Sequence, residues 1–207
     1  FRSAEQIEQL PYYYMEGTDN SSFLHEGDVI LRNMNDDNIL NWRDQQEIGK
    51  GNMPNWTGGL NIDLYYKGFD FSMLWQGAFG FSHQVVLKRG LVFPEIMYDK
   101  RWTYENNNAN AIVPRLGGAS TNDWASDYRM IDGDYLRLKT VSLGYNLPGK
   151  WLQWAKIDGV RVYVAGTNLL TFSKLTKYKI DPEANSGTGG YYYPQMRTIT
   201  FGLNISL

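Results

Sequence analysis

The segment Asn33–Asp44 (NMNDDNILNWRD) carries oxygen-bearing side chains at intervals of two residues. An EF-hand calcium loop takes its ligands from positions 1, 3, 5, 7 and 12, the seventh through a backbone carbonyl. Applied to this segment, the rule gives a candidate set of calcium ligands: Asn33, Asn35, Asp37, the carbonyl of Ile39, and Asp44. The alternative is a turn rich in Asn and Asp that keeps its shape without an ion.

Residues suited to catalysis are sparse. The two histidines, His25 and His83, stand in no Ser/His/Asp or HExxH spacing. The absence of cysteine from the sequence excludes thiolate nucleophiles, disulfides and zinc–thiolate sites within this chain. The glycine-rich segment Ser186–Gly190 lacks the preceding strand that a phosphate-binding loop requires, and it is interpreted as a loop tip. We therefore expect a protein that is not an enzyme.

Aromatic residues interleaved with Asn and Asp are better candidates for function. Exposed rings beside amide and carboxylate groups suit the binding of sugar rings, and they suit peptides nearly as well. The candidate ligand-binding residues are Trp102, Tyr104, Trp124, Tyr128, Tyr191, Tyr192 and Tyr193. The alternative for each ring is that it packs one loop against another.

Composition narrows the classes of protein. The 207 residues carry a formal net charge of −2, so no nucleic-acid partner is expected. The sequence contains no run of about 18 apolar residues, so no transmembrane helix is predicted. The first residues, FRSAEQIEQL, lack the basic and apolar regions of a signal peptide. If the protein is exported, we expect this chain to be part of a longer precursor.

Five stretches alternate between apolar and polar residues with a period of two, which predicts strands with two different faces. They are Thr57–Tyr66, Phe69–Phe79, Tyr135–Asn146, Val160–Leu170 and Arg197–Leu207. Strands of soluble proteins average only about 5–6 residues. Strands of roughly 10–12 residues, tilted by about 45°, span about 25 Å, which is the height of the apolar band of an outer-membrane barrel.

The stretch Tyr135–Asn146 changes phase midway. Leu136 and Leu138 share one face, and the cations Arg137 and Lys139 share the other. After Thr140 the apolar set becomes Val141, Leu143 and Tyr145. One extra residue at a β-bulge explains such a shift. We expect the apolar set to face lipid and the two cations to face a wet lumen.

The connections between these strands alternate in length. Short links at Lys67-Gly68 and Leu147–Gly159 alternate with long ones at Gly80–Asp134 and Thr171–Met196. Short periplasmic turns and long outer loops are typical of outer-membrane barrels. Since about eight strands are needed to close even a small barrel, and hydrocarbon does not tolerate open sheet edges, five strands predict one part of a larger barrel.

Several motifs resemble one family, the SusC/RagA-type TonB-dependent transporters. They are Tyr66–Asp70 (YKGFD), Arg101–Thr103 (RWT) with Glu105-Asn106 and Pro114–Leu116 (PRL), Asp134–Lys139 (DYLRLK) with Leu143–Pro148 (LGYNLP), Gly166–Leu169 (GTNL), and Asp181–Glu183 (DPE) before Tyr193-Pro194. These motifs occur in the family's order and cover nearly the whole chain after about Gly27.

The resemblance implies an all-β fold, an antiparallel transmembrane β-barrel of 22 strands with an N-terminal plug, of which this chain resembles the last five strands. It then divides residues 1–207 into extracellular loops at 1–55, 80–134 and 171–196, a β-hairpin at 56–79, a strand pair at 135–170 and a C-terminal strand at 197–207. The plug and the earlier strands are absent from the chain.

Two sites compare with family patterns. Thr200, Gly202, Ile205 and Leu207 resemble the C-terminal signal of outer-membrane assembly, although that signal usually ends in an aromatic residue. Family members often carry Asp-x-Asn-Gly-Asp-Gly at the calcium-type loop. Here Asn33 replaces the first Asp, and Asn38 replaces a Gly, a position where Asn still tolerates a left-handed backbone.

The function that the resemblance implies is TonB-dependent import of oligosaccharides or peptides across the outer membrane of a Gram-negative bacterium. The expected partners are a SusD-like surface lipoprotein, TonB through the absent N-terminal part, outer-membrane lipid and a second transporter pair in a homodimer. The only cofactor considered is Ca²⁺ in an extracellular loop. The alternative is a soluble all-β glycan-binding or adhesion protein, in which a closed sandwich would bury the apolar faces.

Overall fold

The computed structural model describes residues 4–14, 19–85, 95–106, 111–118, 120–184, 193 and 195–207. Two of the candidate ligand-binding residues, Tyr191 and Tyr192, lie outside these ranges, as does Ser186–Gly190. The α-helices α1 (Ala4–Glu8) and α2 (Glu95–Asp99) have five residues each. Within the described ranges no helix has the length and apolar character needed to cross a membrane.

Seven strands account for most of the regular structure. In chain order they are β1 (Trp56–Tyr66), β2 (Phe69–Phe79), β3 (Ser82–Gln84), β4 (Met130–Asp132), β5 (Tyr135–Asn146), β6 (Gly159–Ser173) and β7 (Thr198–Ser206). The five long strands form one antiparallel sheet in the order β1-β2-β5-β6-β7, and β3 pairs with β4. Short 3-10 turns occupy Asn20–Ser22, Trp42–Asp44, Ser120–Asp123, Asp127–Arg129, Gly149–Trp151, Gln153–Ala155 and Lys174–Tyr178. The all-β, antiparallel prediction is confirmed.

The predicted bulge in β5 is present. On the β2 side, Trp75 is opposite Leu138 and Leu74 is opposite Thr140, so Lys139 has no opposing residue there. This extra residue shifts the side-chain alternation by one position. The phase change read from the sequence is therefore a change of register within one strand and not the end of a strand.

Strand β6 is longer than predicted, because it contains a second irregularity. Asn168 has a left-handed backbone (φ 53°), and beyond it Leu170 pairs with Leu138 and Phe172 with Leu136. The alternation therefore stops at Asn168 and resumes in a new phase. The predicted strand ended at Leu170, two residues beyond this irregularity, whereas the observed strand continues to Ser173.

The sheet has an apolar face that runs across all five long strands. One row of directly opposed residues on this face consists of Leu64, Phe71, Leu143, Val164 and Phe201. The two ends of the row are 58% (Leu64) and 81% (Phe201) exposed. A neighbouring row on the other, polar face consists of Asp63, Ser72, Ser142, Ala165 and Thr200. Apolar side chains thus occupy this face across the width of the sheet, with Leu64, Leu143 and Phe201 exposed and Phe71 and Val164 half-buried.

Two glycines on the polar face make room for larger neighbours. A Cβ atom at Gly202 would collide with the ring of Tyr163, its partner on β6. A Cβ atom at Gly144 would lie within 2.6 Å of both Arg161 and Asp70. Arg161 Nε donates to Asp70 Oδ1 at 2.9 Å, so this ion pair joins β6 to β2 across the glycine of β5.

The cations predicted to face a wet lumen lie on the polar face, but Arg137 is only 3% exposed. Its Nη2 donates to Asp181 Oδ1 at 2.7 Å, and its Nε donates to Thr171 Oγ1 at 3.0 Å. Lys139 Nζ contacts Glu183 Oε2 at 2.8 Å. An acidic segment containing Asp181 and Glu183 thus covers Arg137 and supplies the partners that a buried cation requires. That this face lines a wet lumen stays a prediction.

The chain divides into two compact units. The loop unit contains Phe1–Gly49, Gln84–Met130 and Gly187–Gly190, and the sheet unit contains Lys50–His83, Ile131–Ser186 and Tyr191–Leu207. The loop unit has its own hydrophobic core, which consists of Ile7, Tyr12, Tyr14, Leu24 and Leu40. Segments that the sequence predicted only as loops are therefore folded structure.

Candidate ligand-binding site

A cavity of about 360 Å³ lies within the loop unit. Its lining residues are Ala4, Ile7, Leu24, His25, Glu26, Trp102, Tyr104 and Arg115. Ligand sites commonly measure about 300–1,000 Å³ and combine apolar walls with a few polar groups. Both the size and the lining of this cavity, here called the loop pocket, agree with a small ligand site.

The loop pocket takes its aromatic wall from two of the predicted residues. The rings of Trp102 and Tyr104 meet edge to face, with centroids 5.0 Å apart and planes at 64°. The backbone N–H of Trp102 donates to the carbonyl of Val113 at 3.0 Å. Gly27 lies against the Trp102 ring in a left-handed conformation (φ 87°), and a Cβ atom there would collide with the ring. Glycine is thus required at this position for both backbone and space.

The buried carboxylate of Asp28 holds the segments around the loop pocket together. Arg115 donates Nε to Oδ1 at 2.9 Å and Nη2 to Oδ2 at 3.1 Å. Asn122 Nδ2 donates to Oδ1 at 2.8 Å, and the backbone N–H of His25 donates to Oδ2 at 2.9 Å. The amide oxygen of Asn122 in turn accepts the backbone N–H of Val29 at 2.7 Å. Asp28 is 0% exposed, so these bonds replace its entire hydration.

The pKa of Asp28 is lowered. Burial raises it, but the hydrogen bonds from Arg115, Asn122 and the His25 backbone favour the charged form and outweigh the burial. Asp28 therefore carries its charge at neutral pH and is paired with the guanidinium of Arg115.

A second carboxylate, Glu26, lies in the lining itself. Its Oε1 accepts the backbone N–H of Ala4 at 3.1 Å. The pKa of the Tyr104 hydroxyl is raised, first by its hydrogen bond to Glu26 and next by the charge of that carboxylate. Tyr104 is 78% exposed, so this contact lies towards solvent.

Three other predicted aromatic residues, Trp124, Tyr128 and Tyr193, lie elsewhere. Trp124 is 44% exposed and Tyr193 is 82% exposed, and neither lines the loop pocket. Tyr128 donates its hydroxyl to the backbone carbonyl of Asn122 at 2.7 Å, and burial raises its pKa to about 12. Packing within the loop unit is therefore the observed role of Tyr128.

Sequence reasoning did not identify Glu26, Asp28, Arg115 or Asn122. A signal was available at His25–Asp28, where a glycine separates two acids, and at Arg115 in the PRL motif. What the sequence does not show is the pairing, since Asp28 and Asn122 are 94 residues apart along the chain.

The calcium-type loop is held by its own hydrogen bonds. Asn33 Oδ1 accepts the backbone N–H of Asn35 and Asp36, at 3.1 and 2.8 Å. Asp37 Oδ1 accepts the backbone N–H of Ile39 at 3.1 Å. The left-handed conformation expected at Asn38 is present (φ 67°). These bonds are those of Asx turns, which shape a loop locally.

The last predicted calcium ligand, Asp44, closes the same loop. Its Oδ1 accepts the backbone N–H of Met34 at 2.9 Å, and its Oδ2 accepts that of Asn41 at 2.7 Å. Burial raises the pKa of Asp44, but these backbone bonds lower it overall. Among the described residues, no three His, Asp or Glu side chains are grouped as metal ligands. Calcium binding at this loop stays a prediction.

The residues of the proposed assembly signal lie on or next to β7. Thr200 and Gly202 are on the polar face, whereas Ile205 pairs with Val160 on the apolar face. Leu207 follows the strand and is 91% exposed. Their role in outer-membrane assembly stays a prediction.

The chain is similar in sequence to known TonB-dependent receptors. TonB-dependent receptor P3 of Formosa agariphila is 34% identical over 194 residues, which cover 86% of this chain and 19% of that receptor. TonB-dependent receptor SusC of Bacteroides thetaiotaomicron is 30% identical over 151 residues, which cover 71% of this chain and 14% of SusC. No protein-family model matches the chain.

The fold is similar to that of a solved transporter. The structure of the RagAB peptide transporter superposes with a TM-score of 0.62 at 25% identity, over 81% of this chain and 19% of the transporter chain. The chain spans about a fifth of the length of the receptors it matches. By homology over most of its length, the chain belongs to the SusC/RagA family of TonB-dependent outer-membrane transporters, as one part of a larger protein.

Proposed function

We propose that the protein containing this chain imports oligosaccharides or peptides across the outer membrane, driven through TonB and in complex with a SusD-like surface lipoprotein. The observation that carries the proposal is the exposed apolar row from Leu64 to Phe201, which crosses all five long strands. In a membrane barrel such a face contacts lipid. A closed sandwich would instead cover it with protein.

The polar face supports the same proposal. Facing a wet lumen, it would place the Arg161–Asp70 ion pair and the Arg137–Asp181 ion pair on the inner wall of the barrel. Charged residues at membrane depth are tolerated where they face a water-filled interior or one another. The two ion pairs meet the second condition, since Arg161 of β6 is paired with Asp70 of β2 and Arg137 of β5 with Asp181, which follows β6 in the chain.

The loop unit would then be the part that meets cargo outside the cell. Ligand bound beneath the lipoprotein would pass into the barrel when the plug moves, and no covalent bond would form or break. This chain contributes strands to the wall and the loop pocket to the outer surface. The relatives named SusC and RagAB support a nutrient importer of this kind.

Co-purification tests the proposed assembly. The full-length receptor, affinity-tagged in its native cells, is extracted from the outer membrane in mild detergent and its partners are identified by mass spectrometry. We expect the peptides of this chain to come from a much longer polypeptide accompanied by a surface lipoprotein. Untagged cells provide the control for non-specific capture. A free chain of about this size in the soluble fraction would contradict the proposal.

A further inference from the structure

The charges around the loop pocket do not balance. Arg115 is the lining cation, and its guanidinium is already bound twice by Asp28 beneath the pocket. Glu26 is the one carboxylate among the lining residues that the structure describes. Arg115 and Asp28 offset each other's charge, so Glu26 is the remaining charged group among the described lining residues. Among the described residues no ion pair involves Glu26, and such a carboxylate favours a positively charged ligand.

The aromatic wall of the loop pocket also favours a positively charged ligand. Trp102 has a neighbouring ring at its edge and Gly27 against its face, so it is held in place. Tyr104 is 78% exposed, and its ring lines the same pocket as the Glu26 carboxylate. An ammonium group over an aromatic ring is attracted by the negative face of the ring. Carboxylate and rings together thus form a site for an organic cation.

The remaining wall of the loop pocket is apolar. Ile7 and Leu24 belong to the core of the loop unit and are only 2% and 1% exposed, so most of the apolar surface open to a ligand comes from Ala4, Trp102 and Tyr104. A hydrocarbon stem packs well against these groups, whereas sugar hydroxyls placed against apolar surface would lose hydrogen bonds to water. Arg115, which could bind hydroxyls, has its Nε and Nη2 engaged by Asp28.

We infer that the loop pocket binds the ammonium group and aliphatic stem of a cationic residue in a peptide, either a lysine side chain or a free N-terminus. The inference rests on the proposed import function and selects peptide over neutral oligosaccharide as the cargo recognised here. The pocket volume of about 360 Å³ suits one residue and not a long segment, so this site reads one charged position of the cargo.

Calorimetry on the full-length receptor with its lipoprotein tests this inference. The probes are the peptide AKAKA and the same peptide with its amines acetylated. We expect Glu26→Gln to weaken binding of the free peptide about tenfold, the effect of losing one charge-assisted contact, and to leave the acetylated peptide unaffected. Gln keeps the oxygen that accepts the Ala4 N–H. Tyr104→Ala is expected to weaken binding of the free peptide as well, and this exposed side chain is not part of the core.

The control is Glu47→Gln, which removes an exposed carboxylate from the loop unit that does not line the pocket. We expect it to bind both peptides as the parent receptor does. Equal affinity of the parent for free and acetylated peptide, or no effect of Glu26→Gln and Tyr104→Ala, would overturn the cationic-residue inference. Peptide uptake by receptor-producing cells is measured in parallel. Uptake equal to that of cells lacking the receptor would refute the import proposal itself.

Discussion

Replacing Phe201 with arginine is expected to destabilise the membrane-inserted receptor by about 2–4 kcal/mol. Phe201 is 81% exposed on the apolar face of β7, with three strand residues before it and five after it. It therefore lies near the middle of the strand, at the depth where a charge facing lipid is most unfavourable. Urea unfolding of the full-length receptor in lipid vesicles measures the loss.

The matched control lies one residue away. Thr200 points to the polar face and is opposite Ala165, so Thr200→Arg is expected to change the stability by less than about 1 kcal/mol. The difference between the two variants separates a lipid-facing from a lumen-facing residue on one strand. If both arginines are tolerated equally, the apolar face is not in contact with lipid.

The second large effect is expected at Asp28. Asp28→Asn removes the negative charge that is paired with the Arg115 guanidinium. The side chain of Asp28 is 0% exposed. Breaking a buried ion pair commonly costs about 3–5 kcal/mol, and we expect about 3 kcal/mol because Arg115 itself is 29% exposed and keeps some hydration. The loss should appear as easier opening of the loop unit, measured by hydrogen exchange of the amides near residues 25–29 and 113–122.

The effect of pH has a definite sign. The pKa of Asp28 is lower in the folded state than in the unfolded chain, so folding favours the charged form. Its contribution to stability is full above about pH 4 and is lost as the pH falls through the folded-state value. Asp28→Asn should show a weaker acid dependence of loop opening, whereas the exposed Asp127→Asn should behave as the parent. Unchanged exchange in Asp28→Asn would contradict the role assigned to this carboxylate.

The sheet was predictable because its information is local. Alternation places Leu60, Ile62 and Leu64 on one face whatever the rest of the chain does, and β2 and β5 have the bounds read from the sequence. Even the bulge at Lys139 leaves a local signature in the form of a phase change. The last three residues of β6, Thr171–Ser173, were missed because the irregularity at Asn168 changes the phase of the alternation.

The loop unit was not predictable in the same way. Ile7, Leu24 and Leu40 form its core without a continuous helical or strand pattern, because Ile7 lies in a helix of five residues and the other two lie in irregular segments. The Asp28–Asn122 contact depends on two segments meeting in space, and one sequence carries no signal of such a meeting. Trp102 and Tyr104 were found by residue type, which detects exposed rings but not the carboxylate that selects their ligand.

The most direct test of the account is contact between β7 and lipid. Single cysteines placed at positions 199, 200, 201, 203, 204 and 205 of the full-length receptor, in a background without other accessible cysteines, are labelled with a small fluorophore and reconstituted into bilayers containing brominated lipids. We predict quenching by lipid at Ile199, Phe201, Leu203 and Ile205, and none at Thr200 and Asn204. Quenching with no alternation, or none at the apolar positions, would show that this face is not in contact with the membrane.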